Sequence, residues 1–115
     1  MAHQEADVER LWSREELMNL GKNVYATQCA TCHQADGQGL APGFPALAGS
    51  PIATGPLQDH IEVVLHGREG TAMQAWGDML SEADIAAALT YTRNAFGNDT
   101  GDVVQPQAIA RIKNG

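Results

Sequence analysis

Residues 29–33 read Cys29-Ala30-Thr31-Cys32-His33: two cysteines bracket two residues, and a histidine follows at once. This C-x-x-C-H spacing is that of a c-type haem attachment site. Each thiol can add across one haem vinyl group to form a thioether. His33, held beside the second thioether, then reaches the iron from one face as an axial ligand. Other uses of the pair fit less well. A thioredoxin-like C-x-x-C follows a strand in a βαβ pattern, and the flanking sequence has no such pattern. A zinc site needs about four nitrogen or sulfur ligands. The chain has no further cysteine, and His3, His60 and His66 would join only in an unusual spacing. A disulfide between Cys29 and Cys32 would close too small a loop to stabilise much.

On the N-terminal side, Ser13 and Glu16 make an S-x-x-E capping box that opens a helix. Leu17, Leu20, Gly21, Val24 and Tyr25 then recur at helical spacing and form one buried stripe. Gly21 costs that helix about 1 kcal/mol against alanine. A glycine on the buried face is explained by a second helix crossing it closely. The helix is expected to run into Cys29 and so deliver the attachment site. Residues 1–12 are polar and read as a linker or tail, with Trp12 packing onto the first helix.

On the C-terminal side, residues 34–56 form a long Gly/Pro-rich loop. A loop of that length in a compact domain needs a function, and wrapping a haem edge is one. Phe44, Leu47 and Ile52 supply apolar contacts there. Pro45 is the candidate whose carbonyl accepts the Nδ1–H of His33 and orients the ring, with Pro42 as the alternative. Residues 57–66 make a short helix with Leu57, Ile61, Val64 and Leu65 inward, stopped by Gly67. His60 reads as solvated and His66 as a helix-end residue. Residues 67–80 form a loop with Met73, Trp76 and Met79. A methionine thioether is a soft ligand that raises the potential of haem iron. Met73, among small residues, is favoured as the distal ligand, whereas Met79 and Leu80 read as core filling. Trp76 is expected to wall the haem, to donate to a propionate or to fill core. Arg68 could reach a propionate but reads as solvated. The last main helix starts at Ser81, turns Ile85, Ala88, Leu89, Thr92 and Phe96 inward, and ends at Gly97. Residues 98–115 read as a tail in which Pro106 opens a loosely attached helical turn through Ile112.

One domain is implied, with a packed part spanning residues 13–97, roughly 85 residues, small for an independent core. Buried haem would supply apolar volume, so the haem-free chain is expected to fold poorly. The net charge of −7 argues against nucleic acid and anionic membranes and suits steering toward basic patches; it also serves solubility. No apolar run is long enough to span a bilayer, and no secretory signal precedes the domain. Haem attachment normally takes place outside the cytoplasm. The numbered chain therefore reads as a mature or excised domain, with Met1-Ala2-His3 as an added start.

The order of helix, CATCH, Gly/Pro loop, short helix, methionine loop and last helix resembles class I cytochrome c over nearly the whole chain. The runs LMNLGKNVYATQCATCHQADGQGLAPGFPALAGSPIATGP, GTAMQAWGDMLSEADIAAALTYTRNAFGN and TGDVVQP sharpen the likeness. They are similar to the cytochrome c domain fused to the C-terminus of subunit II in caa-type cytochrome c oxidases. The resemblance implies an all-α fold whose N- and C-terminal helices cross while short helices wrap one covalent haem c. It also implies Met73 as the distal ligand. The implied role is one-electron transfer and not catalysis by the isolated domain. Electrons would come from a redox protein donor with a basic docking patch and leave to the dicopper (CuA) domain of the oxidase. The domain would be a monomer in the periplasm or on the outer face of the cytoplasmic membrane, tethered through its parent subunit and not itself inserted. A CuA site needs two more cysteines than this chain has, so the chain is an excised domain or a free relative. The alternatives are a free electron shuttle, the cytochrome module of a dehydrogenase, or a haem ligand-binding or peroxidase-like protein with an open distal position.

Overall fold

This computed structural model describes residues 10–39, 46–67 and 75–114, which contain five α-helices and one π-helical turn and no strand. The first helix, α1 (Arg14–Val24), begins where its capping box closes. The Ser13 hydroxyl accepts the Glu16 N–H at 3.1 Å, and Glu16 Oε1 accepts the Ser13 N–H at 2.9 Å. Two of the orphan donors of the helix start are thereby satisfied. Beyond α1 come the π turn (Tyr25–Cys29), α2 (Ala30–His33), α3 (Leu57–His66), α4 (Glu82–Asn94) and α5 (Pro106–Asn114).

The expected crossing is present. A Cβ placed on Gly21 would lie 2.1 Å from the Ala87 carbonyl oxygen and 2.7 Å from Tyr91 Cβ. The backbone of α1 therefore rests on α4, whose Ala86 and Ala87 are buried small residues. Ser81 caps α4 by accepting the Asp84 N–H at 3.1 Å. Ile85 and Leu89 of α4 join Leu17, Ile61 and Leu65 in one core. Helix α3 ends, as expected, at Gly67, whose φ of +73° suits a residue without Cβ.

Three expectations about packing change. Met79 is 59% exposed and does not fill core. The turn that begins at Trp76 sends both the Met79 and Leu80 N–H groups to the Trp76 carbonyl, at 3.0 Å each. Leu80, but not Met79, packs against the core. Residues 98–114 are not loosely attached. Pro106 does open a helix, at the position where its missing N–H costs nothing, but Ile109 and Val104 are buried in the main core. Asn94 fixes the connection by donating to the Asp102 carbonyl at 2.9 Å and accepting the Gly101 N–H at 2.9 Å. Trp12, expected against α1, joins the core that includes Leu17 and is also tied to the far end of the chain. Its N–H donates to Gln105 Oε1 and its carbonyl accepts from Gln105 Nε2, both at 2.9 Å.

Candidate haem-attachment site

Helix α1 does not run unbroken to Cys29. At Tyr25 it passes into the π turn, and α2 then carries Ala30 to His33. A π turn fits one extra residue into a helix and recurs at functional sites. Cys29 closes it, half-buried, with φ −109°. His33, also half-buried, is the last residue of α2. Cys32 lies in α2 as well, and its side chain falls outside the described part.

Directly after His33 the chain turns sharply. Gln34 has φ 66° and ψ 156°. Its carbonyl accepts from the Tyr25 hydroxyl at 2.5 Å and from the Gly37 N–H at 3.0 Å. The His33 carbonyl accepts the Gly39 N–H at 2.9 Å. Burial raises the Tyr25 phenol well above its ordinary range, so it is a protonated donor at neutral pH. Its ring packs in tilted contact with Tyr91 and Phe96, at centroid distances of 5.7 and 5.1 Å. Gly37, at φ +70°, lets the Phe96 ring lie where a Cβ would meet it at 2.5 Å.

The later part of the Gly/Pro loop is bound to this turn. The Leu47 and Ala48 N–H groups donate to the Gly37 carbonyl at 2.7 and 3.0 Å. Asn98, buried just beyond α4, accepts the Gly49 N–H at 2.7 Å and donates to the Leu47 and Thr92 carbonyls at 2.9 Å each. Pro42, Phe44 and Pro45 lie outside the described residues, as do Arg68 and Met73. What is described is where the chain re-enters after Met73. Trp76 is buried, and its N–H donates to the Val64 carbonyl at 2.9 Å, while the Gly77 N–H donates to that of Leu65 at 3.1 Å. Lys113 of α5 adds a 2.7 Å bond to the Gly77 carbonyl.

His60 corrects its expected place in solvent. It is 4% exposed, with Nδ1 3.1 Å from Arg93 Nη1. An arginine only donates, so Nδ1 accepts and the ring is neutral. Burial, aided by the Arg93 charge, pulls His60 down to about 3. Arg93 is itself buried, donating to Asp102 Oδ2 at 2.9 Å through Nε and to the Gly55 carbonyl at 2.6 Å through Nη2. The sequence marks neither Arg93 nor Asn98 as a site residue. The one available signal was a charged residue set in an alanine-rich helix with an aspartate nine positions on. His66 is exposed at the end of α3, as expected. Beside it, Ile52, Asp59, Glu62, Val63 and Gly67 line an open groove of about 600 Å³.

The donor set fits the group implied by the motif. Two cysteines and an imidazole lie within five residues, and Cys29 and His33 are half-exposed at the edge of the fold and not sealed in its core. Helix α1 packed closely on α4, with a C-x-x-C-H turn following α1, defines a class I c-type cytochrome. The chain belongs to the cytochrome c family described as "Cytochrome C oxidase, cbb3-type, subunit III", which matches residues 16–91. Its cofactor is therefore covalently bound haem c. The chain is similar to the cbb3-type cytochrome c oxidase subunit FixP of Azorhizobium caulinodans, 36% identical over 117 residues, covering 91% of this chain and 40% of FixP. It is also similar to the cytochrome c subunit of the quinone alcohol dehydrogenase of Gluconobacter oxydans, 30% identical over 105 residues, covering 83% and 22%. A third relative is the gluconate 2-dehydrogenase cytochrome c subunit of Pantoea cypripedii, 27% identical over 114 residues, covering 90% and 26%. The chain thus spans between 22% and 40% of the length of these relatives. Among the described residues no helix is long and apolar enough to cross a membrane.

Proposed function

We propose that this domain is a closed, six-coordinate electron carrier. Cys29 and Cys32 hold the haem through two thioethers, His33 binds one face of the iron and Met73 the other. Pro45 accepts the Nδ1–H of His33, and Trp76 walls the crevice. The bound group supplies a one-electron ferric/ferrous couple. Two protein ligands that stay in place in both oxidation states leave few bonds to rearrange when an electron arrives. The observation that carries this reading is the placement of Cys29 and His33 on one short helical segment, clamped immediately after His33. Carbon monoxide tests the closed site. The reduced protein at neutral pH should bind it slowly and incompletely. Rapid stoichiometric binding would instead favour a ligand-binding or peroxidase-like protein.

The electron partners are proposed as redox complexes of the outer face of the cytoplasmic membrane, with the domain in the periplasm. The named relatives belong to a cbb3-type oxidase and to two dehydrogenases, which supports either an oxidase or a dehydrogenase as parent complex. The CuA domain of a subunit II is one acceptor of that class, carried by the sequence resemblance alone. Asp59 and Glu62 on the groove beside Ile52 and Val63 give apolar walls with an acidic rim. That chemistry, with the net charge of −7, suits a partner with a basic docking patch.

A further inference from the structure

We propose that the Tyr25 hydroxyl is a positioning group for His33, holding the strained Gln34 peptide and so fixing the end of the helix that presents the imidazole. The proposal rests on the reading of His33 as an iron ligand.

Gln34 lies at φ 66° and ψ 156°, a region populated almost only by glycine. A side-chain-bearing residue stays there only where its surroundings over-determine it. Three bonds act on it. Its N–H donates to the Ala30 carbonyl at 2.8 Å, its carbonyl accepts the Gly37 N–H at 3.0 Å, and the same carbonyl accepts the Tyr25 hydroxyl at 2.5 Å. The first two are local backbone bonds. Only the third reaches back across the π turn, from its first residue to the residue just past α2. It therefore brackets the Cys29–His33 segment from both ends. The Tyr25 ring is 2% exposed and wedged between Tyr91 and Phe96, so the hydroxyl has little room to move away. A tyrosine that merely completed the buried stripe of α1 would need no hydroxyl. A phenylalanine would fill the same space.

The test uses holoprotein with Tyr25→Phe, Gln34→Gly, the double variant and His33→Ala. Glycine adopts the Gln34 conformation without restraint. Tyr25→Phe alone should lower the folding equilibrium constant roughly fivefold, as for one net hydrogen bond, and should shift both the midpoint potential and the paramagnetic NMR shifts of the axial imidazole. Gln34→Gly keeps the accepting carbonyl but removes the strain that would drive the peptide away, so in that background the imidazole shifts caused by Tyr25→Phe should shrink. Imidazole shifts of equal size in the two backgrounds, or unchanged imidazole shifts in Tyr25→Phe, would overturn the proposal. If His33→Ala keeps the unmutated spectrum, the ligand reading itself fails and the positioning role goes with it. Loss of that spectrum, together with imidazole shifts that move in Tyr25→Phe and move less in the Gln34→Gly background, supports both.

Discussion

At Gly21 a single hydrogen atom decides whether two helices can meet. Alanine would improve the helix by about 1 kcal/mol, yet its Cβ would stand 2.1 Å from a backbone oxygen that cannot swing aside. Overpacking of this kind costs ~1–3 kcal/mol or more, so the clash wins. Gly21→Ala should lower stability by about 2 kcal/mol or more in denaturant unfolding; a gain would mean that α1 and α4 do not touch there. His60 acts at the same scale through protons. Its folded value of about 3 lies below the ordinary 6.5. Below about pH 6.5 the unfolded chain takes up a proton that the folded chain refuses. Stability is therefore full above that pH and falls as pH drops toward the folded value, at up to ~1.4 kcal/mol per pH unit from this group. His60→Gln, which keeps an acceptor for Arg93, should flatten the loss between about pH 6.5 and 4.5. Parallel profiles for variant and parent would remove His60 as the cause. The network was not legible in the sequence for a physical reason. His60, Arg93 and Asp102 lie on three separate segments, and each alone is the kind of residue that water ordinarily solvates.

Helix starts were legible because their causes are local. Ser13 with Glu16 carries its signal within four residues and the capping box forms as read, and α4 starts where Ser81 accepts the Asp84 N–H. Ser13→Ala should cost ~1 kcal/mol. Gly21 also foretold the crossing, since a glycine in a buried stripe has nothing to offer a helix except close approach. The π turn left no local mark, because the extra residue is accommodated by long-range packing of Tyr25 on Tyr91 and Phe96. The firm attachment of α5 is hidden from the local sequence for a similar reason. Its anchors are the paired bonds between Trp12 and Gln105, 93 positions apart. Ile109→Ala should therefore destabilise by ~2–5 kcal/mol, as a buried large-to-small change does. Met79→Ala, on an exposed side chain, should stay within ~0.5 kcal/mol. Thermal unfolding of the two variants side by side checks both values.

For the molecule as a whole, charge and ligation carry the function. A net charge of −7 with Asp59 and Glu62 at one groove should make electron exchange with a cationic redox protein fall steeply with salt, as screening shortens the reach of the field. Asp59→Asn with Glu62→Gln should reduce that salt dependence in stopped-flow traces, while an unchanged slope would place docking elsewhere. The two proposed ligands of the iron, His33 and Met73, are far apart in the sequence. C-x-x-C-H announces the first by spacing alone. The second has only a soft sulfur in a loop of small residues to mark it, and Met79 offers the same atom six positions on. The optical spectrum of the ferric protein, beside that of Met73→Ala, separates them most directly. The unmutated protein should show the weak long-wavelength charge-transfer band of sulfur-ligated haem c. Met73→Ala should lose that band, and its reduced form should bind carbon monoxide rapidly. A band that survives in Met73→Ala would move the ligand to Met79, and its absence from the unmutated protein would contradict the closed His33/Met73 electron carrier outright.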